Sequence, residues 1–212
     1  FKTVMTPAMP ASPEIFLLPR LGRGGPVVYT SMPSGQGSRE AATARLLEAL
    51  AASAPAWRAA LAWGPLTLDT GPLGQPRLKL GGKAGPGLSF SEAGGTLWAA
   101  LTGQGQVGVD AARQEDFLPP YPYARTFHPE EWEWAWRHCQ GESASAAALL
   151  WAAKEAAVKA LGVGFHTRDP LDLTVAFLTQ EREGLGLMVQ TPEEVSAWTR
   201  PLEDGWLALA VV

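Results

Sequence analysis

The chain has 212 residues, with 17 basic and 21 acidic side chains, a formal net charge of -4 and one cysteine. This composition excludes an internal disulfide framework and lacks the basic balance typical of nucleic-acid binding, so no nucleic-acid partner is expected. No membrane partner is expected either: charged side chains interrupt the most apolar stretch, residues 144–161, and prolines break the apolar N-terminal segment, which predicts a cytoplasmic protein.

The first half of the chain is rich in glycine and proline, with short apolar runs between them. Leucines recur at helical spacing over residues 39–52, which predicts a helix with Ser38 as a candidate N-cap. Apolar runs bounded by turn residues predict strands over residues 14–18, 27–29, 66–69, 77–80, 88–90, 96–101 and 106–109.

The second half repeats this order of elements. Helices are predicted over residues 129–138 and 144–161, and strands over residues 171–177, 186–190 and 206–212. Helices followed by antiparallel strands, present twice, predict an α+β protein built as a pseudo-twofold pair of similar halves. We place the N-terminal half at residues 1–106 and the C-terminal half at residues 107–212.

The last predicted helix carries charged side chains among apolar neighbours. Residues four apart share a helix face, so Trp151, Glu155 and Lys159 form one stripe. Lys154 lies beside that stripe. Taken alone, Glu155 and Lys159 are typical of a surface ion pair. A second acid, Asp110, follows a short β-branched run upstream, where an aspartate taken alone is typical of a turn.

Three motifs occur in a fixed order along the chain. They are Gly108-Val109-Asp110, Arg125-Thr-Phe127-His-Pro129-Glu130-Glu131 and Trp151-Ala-Ala-Lys154-Glu155-Ala-Ala-Val-Lys159. In this order they resemble the 4'-phosphopantetheinyl transferases, specifically the larger monomeric, surfactin-synthetase-activating type. The family patterns are Gly-(Val/Ile)-Asp, Arg-x-Phe-x-Pro-Glu-Glu and Trp/Phe-x-x-Lys-Glu-(Ala/Ser)-x-x-Lys.

The resemblance implies an α+β fold of two similar halves with the active site in the cleft between them. It also implies the reaction, in which the 4'-phosphopantetheine arm of coenzyme A is transferred to a serine of an apo acyl or peptidyl carrier protein, with release of 3',5'-ADP. A monomer is expected, because both halves belong to one chain.

The resemblance further implies a Mg²⁺ ion and assigns roles to individual residues. Mg²⁺ prefers oxygen ligands and takes one or two carboxylates, which Asp110 and Glu155 would supply. Glu155 would also help to deprotonate the attacking serine. Lys159 would contact the phosphates of coenzyme A, and Lys154 would be either structural or an outer phosphate contact. Trp151 would pack the helix against the strand that carries Asp110.

Three positions depart from the family pattern. Ala112 stands where the family commonly has an acid two residues after the aspartate. In the segment that corresponds to the family's Ser-His-Ser, we assign Ser91 to the coenzyme A site and place Glu92 at the position of the histidine. An acid facing a phosphate is unfavourable unless a cation lies between them. Gln75 replaces the lysine of the Gly-Lys-Pro turn, so it can donate a hydrogen bond but brings no charge.

These departures predict weaker binding of coenzyme A than is usual in the family, which Arg39 and Arg45 on the first helix could restore in part. They also leave an alternative open: a degenerate, non-catalytic homologue that acts as a carrier-protein or nucleotide binding module. The retention of Asp110, Lys154, Glu155 and Lys159 favours the enzyme, because loss of selection for catalysis would erode these residues as readily as the others. A small α+β domain without a nucleotide site would make the ordered motifs a coincidence.

Overall fold

The computed structural model describes residues 16–18, 26–163, 165, 167–181 and 183–212. The N-terminal prolines and the first two residues of the strand predicted over residues 14–18 lie outside this part of the chain, and the other three residues form the first strand. The helices are α1 (Ser38–Ser53), α2 (Pro55–Ala60), α3 (Pro129–His138) and α4 (Ser143–Ala160). The strands are β1 (Phe16–Leu18), β2 (Val27–Pro33), β3 (Leu66–Thr70), β4 (Pro76–Leu80), β5 (Lys83–Ala84), β6 (Gly87–Ala93), β7 (Thr96–Thr102), β8 (Val107–Arg113), β9 (Thr174–Glu181), β10 (Gly184–Gln190), β11 (Glu194–Pro201) and β12 (Gly205–Val211).

The strands form three antiparallel sheets. Two are large, with the orders β1-β2-β7-β6 and β8-β12-β11-β10-β9, and a small third sheet has the order β3-β4-β5. Helix α1 packs on β2 and β7 of the first large sheet, and α4 packs on β8 and β12 of the second. This arrangement confirms the predicted α+β class. The chain passes from the first large sheet to the second between β7 and β8, and we keep residues 106 and 107 as the proposed boundary between the halves.

Helix α4 approaches β8 closely because small residues line their contact. The alanines of α4 are almost all fully buried. On β8, a Cβ atom added to Gly108 would lie 1.9 Å from the carbonyl oxygen of Ala156 and 2.7 Å from the backbone nitrogen of Ala160. Only glycine therefore allows this approach, which gives a packing reason for the first residue of the Gly108-Val109-Asp110 motif.

Most predicted elements are present, with shifted ends. The helix predicted over residues 39–52 is α1, but its N-cap is Gly37 in the left-handed region (φ 75°), and the Ser38 hydroxyl donates instead to the carbonyl of Gly35. Strand β8 runs three residues past Asp110, so the aspartate lies within the strand rather than at its end. Strand β11 was not predicted, because residues 194–201 mix polar and apolar side chains without a clean alternation.

Among the described residues, no helix has the length and the apolar character that crossing a membrane requires.

Candidate active site

The carboxylate of Asp110 is the point at which three elements of the fold meet. Its Oδ1 atom accepts hydrogen bonds from the Ser91 hydroxyl of β6 at 2.9 Å and from the Lys159 ammonium of α4 at 2.8 Å. Lys159 also donates to the carbonyl of Val109 at 3.2 Å. Asp110 itself is only 6% exposed, so the neighbouring sheet and the helix hold this carboxylate in one place.

Glu155 lies one helical turn before Lys159 and is half-buried. Its Oε1 atom is 3.9 Å from the Lys159 Nζ atom, which is the far end of ion-pair range. Burial raises the pKa of Glu155, the negative charge of Asp110 raises that pKa further, and Lys159 opposes the change. The structure therefore brings Asp110, Glu155 and Lys159 together, as the sequence predicts, and leaves two carboxylates in mutual repulsion.

An acidic cleft of about 380 Å³ opens beside these residues. Asp110, Glu155 and Glu92 line it, together with Ala112 and a fourth acid, Asp116. Asp116 belongs to a short 3₁₀ turn, Gln114–Phe117, that follows β8 directly. The sequence does not single out Asp116, because this residue belongs to none of the motifs. The signal that could have found it is an acid in the short segment directly after β8.

The acidic cleft fits a hard divalent cation. Asp110 and Glu155 offer carboxylate oxygens, and Mg²⁺ is commonly held by one or two carboxylates with water in the remaining positions. A cation between them would also relieve the repulsion that raises the pKa of Glu155. In the part of the chain that is described, no group of three or more histidine, cysteine, aspartate and glutamate side chains is arranged to hold a metal.

A second cleft, of about 360 Å³, lies on the other side of Glu155 and Lys159. Arg39, Gln75 and Phe90 line it, so the helix α1, the hairpin that joins β3 to β4, and strand β6 each contribute a side chain. The Arg39 guanidinium lies 5.3 Å from the centre of the Phe90 ring and forms an ion pair with Glu92 at 2.9 Å. This cleft, which we call the donor cleft, therefore has a cation at each of two positions, Arg39 and Lys159.

The strand alternation of β6 changes the interpretation of the serine segment. The Ser89 and Ser91 hydroxyls accept hydrogen bonds from the backbone N–H groups of Val109 and Ala111 on β8, at 3.0 and 3.2 Å. Phe90, the residue between the two serines, lines the donor cleft. Glu92, which we place at the position of the family's histidine, lines the acidic cleft.

Two of the predicted coenzyme A contacts have partners within the protein. Ser91 faces β8 and Asp110, and it lines the acidic cleft rather than the donor cleft. Glu92 is neutralised by Arg39, so it does not stand as an unpaired acid beside a phosphate. Gln75 lines the donor cleft as predicted, and its Oε1 atom accepts a hydrogen bond from the backbone of Leu73 at 3.0 Å.

The structure does not bring Lys154 to either cleft. Its side chain is fully buried, and its ammonium donates to the Glu131 carboxylate and to the carbonyls of Thr126 and Pro170. Three acceptors match the three donors of an ammonium group, so none is left for a phosphate. Burial lowers the pKa of Lys154, and the charge of Glu131 opposes this change.

Glu131 of the Pro-Glu-Glu motif completes this buried network. Its carboxylate also accepts hydrogen bonds from the backbone N–H groups of His128 and Val175, at 2.8 and 2.6 Å. The network therefore ties α3, α4 and the start of β9 together. Trp151, for its part, packs on Phe117 and lines the acidic cleft.

Two carboxylates and a lysine thus meet at one place in an α+β fold, and comparison with known families shows the class to which this protein belongs. The family model of the 4'-phosphopantetheinyl transferase superfamily matches residues 106–211. The chain therefore belongs to the 4'-phosphopantetheinyl transferase superfamily, which supports transfer of phosphopantetheine in general. The matched residues include Asp110, Glu155 and Lys159. No curated protein matches the chain.

Proposed function

We propose that this protein transfers the 4'-phosphopantetheine arm of coenzyme A to a serine hydroxyl of an apo acyl or peptidyl carrier protein, with Mg²⁺ as cofactor. The observation that carries the proposal is the meeting of Asp110, Glu155 and Lys159 where the acidic cleft joins the donor cleft. Phosphoryl transfer requires a cation site, a positive charge for the phosphates and a base, and these three residues match that list.

Coenzyme A would lie in the donor cleft, with its phosphates toward Lys159. The side chain of Lys159 is 27% exposed, so its ammonium, which is held by Asp110, can also reach an anion in the cleft. We propose Arg39 as a second phosphate contact and Gln75 as a hydrogen-bond donor to the nucleotide portion. Arg39 would thus supply part of the charge that the family's histidine and the lysine of its Gly-Lys-Pro turn provide elsewhere.

Asp110 and Glu155 would hold the Mg²⁺ ion, which when bound neutralises charge on the pyrophosphate. The serine oxygen attacks the phosphorus that carries the pantetheine arm, a new P–O bond forms, and the bond to 3',5'-ADP breaks. Glu155 takes the proton of the serine hydroxyl. Lys159 remains beside the phosphates as the leaving group gains charge.

The protein would act in the cytoplasm as a monomer. Both clefts are lined by residues of one chain, so the site needs no second copy. The free cysteine, Cys139, agrees with a reducing compartment. Its pKa is raised by burial, which makes it a poor nucleophile and gives it no part in the proposed reaction.

Intact-mass spectrometry tests the proposal directly. An apo carrier protein incubated with this protein, coenzyme A and Mg²⁺ should gain the mass of one phosphopantetheine, and EDTA should abolish the gain. Glu155→Gln keeps the size of the side chain and removes the base, so it should slow transfer by about 10²–10⁴-fold.

Other results of the same experiments would contradict the proposed transferase activity. No mass gain with several carrier proteins, from folded protein that still binds coenzyme A by calorimetry, would support the non-catalytic binding module instead. Transfer by Glu155→Gln within a few-fold of the parent rate would remove Glu155 from the role of base and leave the transferase in place.

A further inference from the structure

We infer that Ser91 is a positioning residue, which fixes the carboxylate of Asp110 for the divalent cation and thereby couples the N-terminal sheet to the metal site. The inference rests on the proposed function, because it assigns a role within the same site. Its starting point is that Ser91 is buried, at 8% exposure, and contacts β8 rather than the donor cleft.

The direction of each hydrogen bond at Ser91 follows from the chemistry of its partners. The backbone N–H of Ala111 can only donate, so the Ser91 oxygen accepts at that contact, at 3.2 Å. The ionised carboxylate of Asp110 can only accept, so the single hydroxyl proton of Ser91 points to its Oδ1 atom, at 2.9 Å. The hydroxyl therefore has one orientation available to it.

This orientation determines which oxygen of Asp110 remains for a cation. Oδ1 accepts from both Ser91 and Lys159, whereas the described residues provide no hydrogen bond to Oδ2. The two donors hold the plane of the carboxylate and leave Oδ2 as its free oxygen. Lys159 is partly exposed and would also contact the phosphates of coenzyme A. Ser91 is therefore the hydrogen-bond donor that stays on Asp110 while coenzyme A is bound.

Strand β6 offers a matched control two residues away. Ser89 is buried, at 4% exposure, and accepts a hydrogen bond from the Val109 N–H of β8 at 3.0 Å, just as Ser91 accepts from Ala111. At the metal site the difference is that Ser91 donates to Asp110 and lines the acidic cleft, whereas Ser89 lines the donor cleft, which saturating coenzyme A fills in the test below. Alanine at either position removes one contact between the strands, but only Ser91→Ala removes a contact to the carboxylate.

Binding of Mn²⁺ in the presence of saturating coenzyme A, measured by the loss of the free-ion EPR signal, tests the inference without measuring catalysis. Ser91→Ala should weaken Mn²⁺ binding by about 10–100-fold, as the loss of a ligand-orienting hydrogen bond does in other metal sites. Ser89→Ala should bind Mn²⁺ as the parent does. Its change in thermal stability should be similar to that of Ser91→Ala. Ser91→Thr, which keeps the hydroxyl, should restore binding.

The remaining variants separate this inference from the proposed function. Asp110→Asn should abolish Mn²⁺ binding. If it binds as well as the parent, or if the parent does not bind, both the metal site and the role of Ser91 are overturned. If Asp110→Asn loses binding while Ser91→Ala binds normally, or while Ser89→Ala is equally impaired, only the role of Ser91 is overturned. Ser91→Cys, with a weak donor of similar size, should shift affinity in the same direction if the alanine variant does not fold.

Discussion

Helix α4 carries two lysines five positions apart, and the two faces on which they lie are opposite in character. Lys154 is fully buried and has three acceptors within the protein. Lys159 is 27% exposed and joins Asp110 at the meeting of the two clefts. Because each residue of an α-helix turns about 100°, positions five apart lie on different faces. One face of α4 therefore maintains the fold, and the other carries residues of the proposed active site.

The comparison shows that a residue's role follows from its partners rather than from its place in a motif. Both lysines belong to the same short motif, and sequence spacing puts both near Glu155. The partner of Lys154 is a carboxylate with two further backbone donors, buried with it. The partner of Lys159 is a carboxylate beside open clefts, where a phosphate can share the ammonium. Four predictions test how far this division holds.

The largest effect is expected at the buried lysine. Lys154→Met leaves the Glu131 carboxylate buried without its counter-ion, and breaking a buried pair in this way costs about 3–5 kcal/mol. Lys159→Met should cost less, about 1–2 kcal/mol, because water reaches that pair. Urea unfolding of both variants measures the difference. Equal losses of unfolding free energy would show that the two faces of α4 are not distinct.

Gly108→Ala should disturb both faces of α4 at once, because it moves the whole helix. The added Cβ would lie 1.9 Å from the Ala156 carbonyl oxygen, so α4 must shift away from β8. We expect a loss of about 1–3 kcal/mol in unfolding free energy from overpacking. A displacement of about 1 Å at the site can lower transfer about 10²-fold. Gly35→Ala is the control, since nothing lies within 4 Å of the position its Cβ would take. Normal transfer by Gly108→Ala would show that the helix position is not critical.

Lys159→Met should weaken the binding of coenzyme A while leaving the fold intact. The loss of one charge-assisted contact of about 1.5–3 kcal/mol corresponds to a dissociation constant about 10–150-fold higher. Calorimetry with coenzyme A measures this change. Unaltered affinity would mean that the ammonium serves Asp110 alone and does not contact the donor.

The smallest effect is expected at the rim of the donor cleft. Arg39 is 56% exposed, so Arg39→Gln should weaken coenzyme A binding by only about 3–10-fold, and more at low than at high salt. Glu92→Gln should act in the opposite direction, because it frees the guanidinium from its carboxylate. If the two variants change affinity in the same direction, then Arg39 does not contact a phosphate.

The sequence predicts the α+β class from the order of its elements, and helical spacing places Glu155 beside Lys159. That Asp110 joins them is implied by the resemblance of the ordered motifs to the family, and the structure brings the three residues together. The sequence does not predict the burial of Lys154, since the partner Glu131 lies on another helix and only packing brings them together. The same limit applies to Asp116, which reaches the acidic cleft through a turn without a motif. Strand alternation places Phe90 between the two serines that face β8, and the assignment of Glu92 to the position of the family's histidine stays a prediction.

The contact between β6 and β8 has a mechanical consequence. The two large sheets meet there through the hydroxyls of Ser89 and Ser91, and not through a backbone ladder. A ladder of main-chain hydrogen bonds fixes two strands in register over their whole length, whereas each serine accepts a hydrogen bond from a single main-chain N–H group of β8. Apolar side chains of both sheets, among them Tyr29, Trp98 and Val109, pack together around these contacts. A change at either serine therefore alters how the two sheets are held together without breaking a main-chain hydrogen bond within either sheet.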